Sequence, residues 1–191
     1  MRVVVMVRHG QSLSNVKKIL TDEIDGYPLT ETGIQQAKET AEILSAFRFD
    51  GLWSSPVLRA TQTAEIISGG IGVPVRVVNE LRETEMGSFN GMKPDEALRA
   101  LERGERYESW DSHMRRMQKA MESVNGKTVC VSHAMPITVL ASWVLGLNNE
   151  ESRGIDIQNA SMTVIDLEKM KVLCIGSSRL SKRIREILAS E

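Results

Sequence analysis

Residues 3–12 have the sequence Val3-Val4-Val5-Met6-Val7-Arg8-His9-Gly10-Gln11-Ser12. Five consecutive apolar residues, mostly β-branched, predict a strand that is buried on both faces, and the glycine predicts a turn directly after it. Ligands bind at the carboxyl ends of strands in an open α/β sheet, so Arg8 and His9 stand where chemistry is expected. A guanidinium binds phosphate oxygens, and a neutral imidazole can act as a nucleophile or a proton carrier. The pair therefore suggests phosphate chemistry.

The composition is that of one α/β domain with balanced charge. We expect a single domain over residues 1–191, with a cap-like insertion over about residues 83–124. The formal net charge is −1 and the charged residues are spread along the chain, which argues against nucleic acid or an anionic membrane as a partner. The chain contains neither a long apolar run nor a leader-like start, so we expect a cytoplasmic protein.

The remaining pattern alternates strands with helices. Further strands are predicted over residues 49–55, 73–78, 128–132, 162–167 and 172–175, the last two as a hairpin. Helices are predicted over residues 30–44, 56–68, parts of 94–124, 136–144 and 180–188, and loops over 13–26 and 79–93. Ser55 is predicted to cap the helix that follows it, and Gly69-Gly70 to end that helix. Right-handed crossovers then give a three-layer α/β/α sandwich with a mainly parallel sheet, one antiparallel strand and a short helical insertion over the strand ends.

Four predicted parallel strands lead into residues suited to phosphoryl transfer. The first leads to Arg8 and His9, the second to Arg59 in the first turns of its helix, the third to Glu83 and the fourth to His133. The carboxyl ends of parallel strands meet at one edge of a sheet, so we expect these side chains to converge. The chain has three histidines, and two of them occupy these positions.

The ordered motifs resemble those of the histidine phosphatase superfamily, also called phosphoglycerate mutase-like. In chain order they are Arg8-His9-Gly10-Gln11-Ser12 with Asn15, Leu29-Thr30-Glu31-Thr32-Gly33, Ser54-Ser55-Pro56-Val57-Leu58-Arg59-Ala60-Thr61-Gln62-Thr63-Ala64, Leu81-Arg82-Glu83 with Gly87, and Val131-Ser132-His133. Two positions depart from the family pattern. Asn90 stands where many members have a glutamate before the glycine, and Ala134 follows the second histidine where a glycine is usual. Neither change removes a catalytic group, and we expect both to alter the rim of the pocket.

The resemblance implies a role for each converging residue. His9 is the nucleophile that becomes phosphohistidine, and Glu83 is the general acid and then the general base. Arg8, Arg59 and His133 bind the transferred phosphoryl group. Fixed cations suit this chemistry, because the transition state of phosphoryl transfer carries its charge on the equatorial oxygens.

Further residues are candidates for supporting roles. Asn15 is a candidate amide donor to the phosphoryl oxygens, and Ser12 a candidate hydroxyl donor. Glu85 is an alternative acid, although the family spacing favours Glu83. Arg82 or Arg106 is hypothesised to bind a second anionic group of the substrate.

These features predict a metal-independent phosphomonoester hydrolase that acts through phosphohistidine on a small phosphorylated metabolite. By the same resemblance, mutases carry a longer insertion before the second histidine, so the short segment from Glu83 to His133 favours a phosphatase. A cofactor-dependent phosphoglycerate mutase and a non-catalytic phospholigand-binding module are the alternatives. The sequence has no glycine-rich nucleotide fingerprint and no cluster at metal-ligand spacing, and we expect neither a cofactor nor a metal. A homodimer is left open.

Overall fold

The first strand lies near the centre of the sheet. In the computed structural model, which describes residues 1–190, β1 spans Arg2–Arg8 and its residues 3–7 are completely buried. It pairs in parallel with β4 (Gly126–Ser132) and antiparallel with β5 (Met162–Asp166). The valines therefore meet neighbouring side chains on both faces of the sheet, as the unbroken apolar run predicts.

The other elements alternate along the chain. The remaining strands are β2 (Gly51–Ser54), β3 (Val75–Val77) and β6 (Lys171–Ser177). The helices are α1 (Leu13–Lys17), α2 (Glu31–Leu44), α3 (Leu58–Ile71), α4 (Pro94–Glu102), α5 (Trp110–Glu122), α6 (Ala134–Leu145) and α7 (Lys182–Ala189). The sheet order is β3-β2-β4-β1-β5-β6, and β5 runs antiparallel to both of its neighbours. None of these helices, within residues 1–190, has the length and apolar character to cross a bilayer.

Helices cover both faces of the sheet. Val3, Val5 and Val7 point into a core with α2, α3 and α7, whereas Val4 and Met6 point into a core with α5 and α6. This division follows from the period of two along a strand. The predicted three-layer α/β/α sandwich, with a mainly parallel sheet and one antiparallel strand, is confirmed.

The order of the strands creates a crevice between β1 and β4. The chain leaves β1 and crosses past β4 to reach β2, whereas it leaves β4 and crosses past β1 to reach β5. The two connections depart in opposite directions, so the loops separate at the carboxyl ends of these neighbouring strands. His9 and His133, the residues that directly follow the two strands, lie at this point.

The boundaries of α3 differ from the prediction. Ser55 does not cap the helix, whose N-cap is Val57. The Ser55 hydroxyl lies 2.8 Å from Nε2 of His133 and also accepts the N–H of Val57 at 3.3 Å. Gly69-Gly70 does not end the helix, which continues to a left-handed Gly72 with φ of 72°. Gly70 packs against α2, so the pair permits close approach of two helices rather than a turn.

Two predicted irregular segments also contain more structure than expected. The segment 13–26 begins with α1, and the loop 79–93 contains short 3-10 turns at Asn79–Leu81 and Gly87–Phe89. Within residues 94–124, α5 packs against the sheet, while α4 forms a separate small apolar cluster with Phe89. The second helix of the predicted insertion is therefore part of the main layer.

The loop after β1 packs backbone against backbone on the start of α2. A Cβ atom on Gly33 would collide with the carbonyl of Gln11, and one on Gly10 would collide with the carbonyl of Gly33. The N–H of Thr30 also donates to the Gln11 carbonyl at 3.0 Å. These contacts fix the loop that carries His9.

Substituting Gly33→Ala should therefore destabilise the fold. We expect the free energy of unfolding to fall by about 2 kcal/mol, because the methyl group meets backbone that cannot rotate away. Gly69→Ala is the matched control, since Gly69 is also helical and an added Cβ meets nothing within 4 Å. It should be neutral or stabilising by up to about 1 kcal/mol. Urea unfolding of the two variants measures the difference, and equal stabilities would contradict the assignment.

Candidate active site

His9 is oriented by a backbone carbonyl. Its Nδ1 lies 2.7 Å from the carbonyl oxygen of Gly10, and its Nε2 accepts a hydrogen bond from Nε of Arg59 at 3.2 Å. A carbonyl oxygen only accepts, so we assign the ring proton to Nδ1. The lone pair is then on Nε2, the atom that faces the guanidinium. A nucleophilic imidazole needs this arrangement.

Burial keeps both histidines of the site uncharged. Burial and then the charges of Arg59 and Arg8 hold the pKa of His9 well below its usual range. Burial, the charge of Arg59 and then His9 itself do the same to the pKa of His133. Both imidazoles are therefore neutral near neutral pH, and Nε2 of His9 carries no proton.

Arg59 connects His9 to Glu83. It lies in the first turn of α3 with a side chain that is only 2% exposed. Its Nη2 donates to the carbonyl of Thr21 at 3.0 Å and lies 3.6 Å from Oε2 of Glu83. A buried charge needs such partners. The same guanidinium therefore contacts both His9 and Glu83.

The pairing of β1 with β4 places the second histidine beside the first. Arg8 is in register with Ser132, so the two histidines follow side by side, and the N–H of His9 donates to the Ser132 carbonyl at 3.0 Å. The ring centroids of His9 and His133 are 5.1 Å apart. Nδ1 of His133 lies 3.4 Å from Oε2 of Glu83.

Glu83 presents one of its two carboxyl oxygens to Arg59 and His133. Oε1 accepts hydrogen bonds from the Thr84 N–H at 2.8 Å and from the Thr84 hydroxyl at 3.2 Å. Oε2 faces Arg59 and His133. Glu85 is exposed and its carboxylate binds Arg82. The geometry therefore favours Glu83 over Glu85 as the acid.

Three buried donors of the site have no hydrogen-bond partner within residues 1–190. They are Nε of Arg8, Nη1 of Arg59 and Nδ1 of His133. Arg8 is held in place through Nη1, which donates to the carbonyl of Ile157 at 2.6 Å. An unpaired buried donor typically costs about 1–3 kcal/mol. A cluster of such donors fits an anion with several acceptor oxygens, such as a phosphoryl group.

Asn15 and Ser12 are bound to each other. Oδ1 of Asn15 accepts from the N–H and the hydroxyl of Ser12, at 2.9 and 3.0 Å, and from the amide of Asn159 at 3.3 Å. The Ser12 hydroxyl also lies 2.8 Å from that of Ser14 and is completely buried. These contacts use only Oδ1 of Asn15 and leave its NH₂ group for a ligand, whereas Ser12 is the N-cap residue of α1. Their roles toward a substrate stay predictions.

Arg82 and Arg106 lie in different surroundings. Arg82 lines a cavity of about 180 Å³ beside Glu83, and its Nη2 binds Oε1 of Glu85 at 2.8 Å. Arg106 donates through Nη1 to the carbonyls of Leu101 and Glu105. The side chain of Arg106 is therefore held by the backbone of its own segment.

The sequence did not predict two residues that touch the nucleophile loop. Asn159 donates through Nδ2 to the His9 carbonyl at 3.0 Å, and the hydroxyl of Thr63 accepts the N–H of Gly10 at 3.1 Å. Asn159 precedes β5, and an antiparallel strand begins at the edge where its parallel neighbours end. The predicted hairpin could have indicated this position. Thr63 lies one turn of α3 after Arg59, on the same face.

Comparison with known proteins identifies the family. The sequence model of the histidine phosphatase superfamily (branch 1) matches residues 4–175. A relative from Thermoplasma acidophilum named 2,3-bisphosphoglycerate-dependent phosphoglycerate mutase is 36% identical, and the match covers 98% of each chain. A solved structure of a mycobacterial glucosyl-3-phosphoglycerate phosphatase is 29% identical with a TM-score of 0.74, covering 87% of this chain and 93% of that one. The chain belongs to the histidine phosphatase superfamily, and its relatives include mutases and phosphatases.

A more distant structure shares the fold. Bacillus stearothermophilus YhfR superimposes with a TM-score of 0.82 at 23% identity, over 94% of this chain and 98% of that one. The α/β architecture is therefore that of the family, and the resemblance inferred from the motifs is confirmed.

The neutral histidines should make stability depend on pH. As the pH falls below 6.5, the ordinary pKa, unfolded chains gain protons on His9 and His133 but the folded protein does not. The free energy of unfolding should then fall by up to roughly 1.4 kcal/mol per pH unit for each such histidine.

Urea unfolding from about pH 8 to about pH 5.5, above the range where carboxylates titrate, measures this slope. His113 also has a pKa lowered by burial and Arg116, so it adds to the slope in every protein compared. His9→Asn and His133→Asn should each reduce the slope. A slope equal to that of the unsubstituted protein would show that the replaced imidazole is not held neutral.

Proposed function

We propose that the protein is a metal-independent phosphomonoester hydrolase of the cytoplasm that forms phosphohistidine at Nε2 of His9 and acts on a small phosphorylated metabolite. One observation carries the proposal. A neutral imidazole, buried donors without partners on Arg8, Arg59 and His133, and the carboxyl group of Glu83 converge at the ends of β1 and β4. Each part of a phosphohistidine reaction thus has a residue to perform it.

In the first half-reaction, Nε2 of His9 attacks the phosphorus atom of the ester. The N–P bond forms, and the bond between phosphorus and the leaving oxygen breaks. Arg8, Arg59 and His133 donate hydrogen bonds to the phosphoryl oxygens, which carry the charge of the transition state. The leaving oxygen takes the proton of Glu83, which is left as a carboxylate. Nδ1–H of His9 stays bound to the Gly10 carbonyl and shares the positive charge of the imidazole.

In the second half-reaction, water attacks the phosphorus of phosphohistidine. The Glu83 carboxylate accepts a proton from this water, the N–P bond breaks, and inorganic phosphate leaves. His9 is restored as neutral imidazole and Glu83 as the acid. The guanidiniums of Arg8 and Arg59 supply positive charge in both steps, so the chemistry proposed here needs no metal ion.

The charges near Glu83 support a phosphatase. The cavity beside Glu83 is lined by the carboxylates of Asp22, Glu83 and Glu85 as well as by Arg82, whose charge is paired with Glu85. A mutase must hold a second anionic group while the phosphoryl group is transferred. Acidic side chains in this cavity disfavour a second anionic group, whereas they do not repel a neutral alcohol.

A phosphoglycerate mutase is the second candidate. The observation that favours it is the full-length similarity to the Thermoplasma acidophilum protein of that name. Both reactions share the phosphohistidine step, and they differ in what accepts the phosphoryl group. A mutase retains the intermediate until a phosphoglycerate accepts it, and a phosphatase gives it to water.

Phosphate release in excess EDTA tests the proposed function. Purified protein is incubated with a panel of sugar phosphates, nucleotides, phosphoglycerates and phosphoserine, and 3-phosphoglycerate is also followed for isomerisation with catalytic 2,3-bisphosphoglycerate. We expect net phosphate release that survives EDTA and is lost in His9→Ala, because the proposed intermediate forms on His9. Protein-bound phosphate that is stable to alkali and labile to acid should appear in the unsubstituted protein only.

Each other outcome has a definite meaning. Isomerisation without net release would replace the phosphatase by the mutase. Release that EDTA abolishes would contradict the metal-independent mechanism. Neither release nor isomerisation, with phosphate esters still bound, would favour a non-catalytic binding module.

Arg82 is proposed to influence the choice of substrate. Arg82→Ala should change the ratio of kcat/KM values between phosphoglycerates and uncharged sugar phosphates by about tenfold, since it removes the guanidinium that lines the cavity. Arg106→Ala is the comparison variant and should have the smaller effect, because Arg106 is tied to nearby carbonyls. The same ratio in all three proteins would remove both arginines from substrate selection.

A further inference from the structure

The third histidine belongs to a buried polar network that the proposed reaction does not use. Nε2 of His113 lies 3.1 Å from the hydroxyl of Thr84 and 3.3 Å from Oε2 of Glu108. Nδ1 faces the carbonyl of Ser109 at 3.2 Å. The side chains of His113 and Glu108 are 2% and 1% exposed. Burying groups of this kind is costly unless they bind each other, so the network has a structural task.

Arg116 on α5 binds this network to the backbone that carries the acid. Its Nε and Nη2 donate to the two carboxylate oxygens of Glu108 at 2.7 and 2.8 Å. Burial alone would raise the pKa of Glu108, but this fork lowers it to about 2, so the pair is ionic. The same guanidinium donates to the carbonyls of Glu80, Arg82 and Glu83 at 2.7, 2.9 and 3.3 Å. One side chain thus holds three carbonyls of residues 80–83.

Thr84 completes the connection from this network to the carboxyl group itself. It is 3% exposed, and its N–H donates to Oε1 of Glu83. We assign the ring proton of His113 to Nε2, which faces the Glu108 carboxylate, so the Thr84 hydroxyl accepts from His113 and donates its one proton to the same Oε1. Oε2 is the oxygen that remains toward Arg59 and His133. Without the Thr84 hydroxyl, only the backbone N–H would hold Oε1, and the carboxyl group would be less restrained against rotation about its terminal bond.

We propose that Thr84 is the positioning residue of the acid, holding Oε1 of Glu83 so that Oε2 exchanges the proton with the leaving group, and that His113, Glu108 and Arg116 hold Thr84 and its loop in place. This inference rests on the proposed phosphohistidine reaction. It assigns the proton transfer to one atom and gives α5 a role in the chemistry. Thr84 does not touch the reacting atoms, so it acts through Glu83 alone.

The test compares two leaving groups. An alkyl phosphate needs a proton from the acid as its oxygen departs, whereas p-nitrophenolate is stable without one. A misplaced acid should therefore slow the first ester and spare the second. kcat/KM reports the steps up to formation of phosphohistidine, so the later hydrolysis does not obscure the comparison.

Thr84→Val removes the hydroxyl and retains the branched shape and the backbone N–H. We expect kcat/KM for the alkyl ester to fall about tenfold, the value of one hydrogen bond, and that for p-nitrophenyl phosphate to change less than about twofold. Thr84→Ser keeps the hydroxyl and should resemble the unsubstituted protein with both esters. Urea unfolding of the variants confirms that folded proteins are compared.

A second variant reaches the same loop from α5. Arg116→Lys keeps the charge but loses the guanidinium N–H groups that bind three backbone carbonyls. It should therefore show the same selective loss, together with reduced stability. It takes the place of Thr84→Val if that protein does not fold.

The outcomes separate this inference from the proposed function. No loss in Thr84→Val, or equal losses with both esters, would overturn the role of Thr84 while the proposed hydrolase stood on the unsubstituted protein. A Thr84→Ser protein as impaired as Thr84→Val would also overturn it, since the hydroxyl would not be the cause. If the unsubstituted protein formed no phosphohistidine, the proposed function would fail first and this inference with it.

Discussion

The parallel pairing of β1 with β4 is the constraint on which the rest of the structure depends. Both strands are buried on two faces, and their register sets Arg8 opposite Ser132. A histidine directly follows each of these two strands, so the centroids of the two rings lie 5.1 Å apart. No long loop has to be ordered to bring them together. A one-residue slip would move Arg8 away from Ser132 and His9 away from His133, so the register of these two strands sets the geometry of the site.

Charge and burial act together at this point. Two guanidiniums lie beside two buried imidazoles, and both effects favour the neutral imidazole. Nε2 of His9, the proposed nucleophile, thus lies unprotonated beside two guanidiniums, whose positive charge suits the proposed phosphoryl ligand. Oε2 of Glu83 lies 3.6 Å from Nη2 of Arg59. In the proposed chemistry the same carboxyl group gives and takes the proton.

Sequence patterns were sufficient for the fold because they are local. The valine run, the alternation of strands with helices and the terminal hairpin predicted the layers, the parallel sheet and the antiparallel strand. Errors fell where a residue had a distant partner. The sequence predicts Ser55 as a helix cap, but the cap is Val57 and the Ser55 hydroxyl contacts Nε2 of His133. Gly70 is predicted to end the helix, but it lies within α3 and allows α2 to pack closely against it. The local propensity of a sequence for helix or strand carries no information about a contact with a residue that is tens of positions away.

The sequence by itself determined that Arg8, His9, Arg59, Glu83 and His133 share one edge of the sheet, because parallel strands bring their carboxyl ends together whatever the details of packing. Only the tertiary structure decided which atoms face one another. The tautomer of His9 depends on a carbonyl at 2.7 Å, and the orientation of the Glu83 carboxyl depends on contacts that extend to α5. Hydrogen bonds act over about 3 Å and depend on direction, so they follow from the packed chain rather than from residue order.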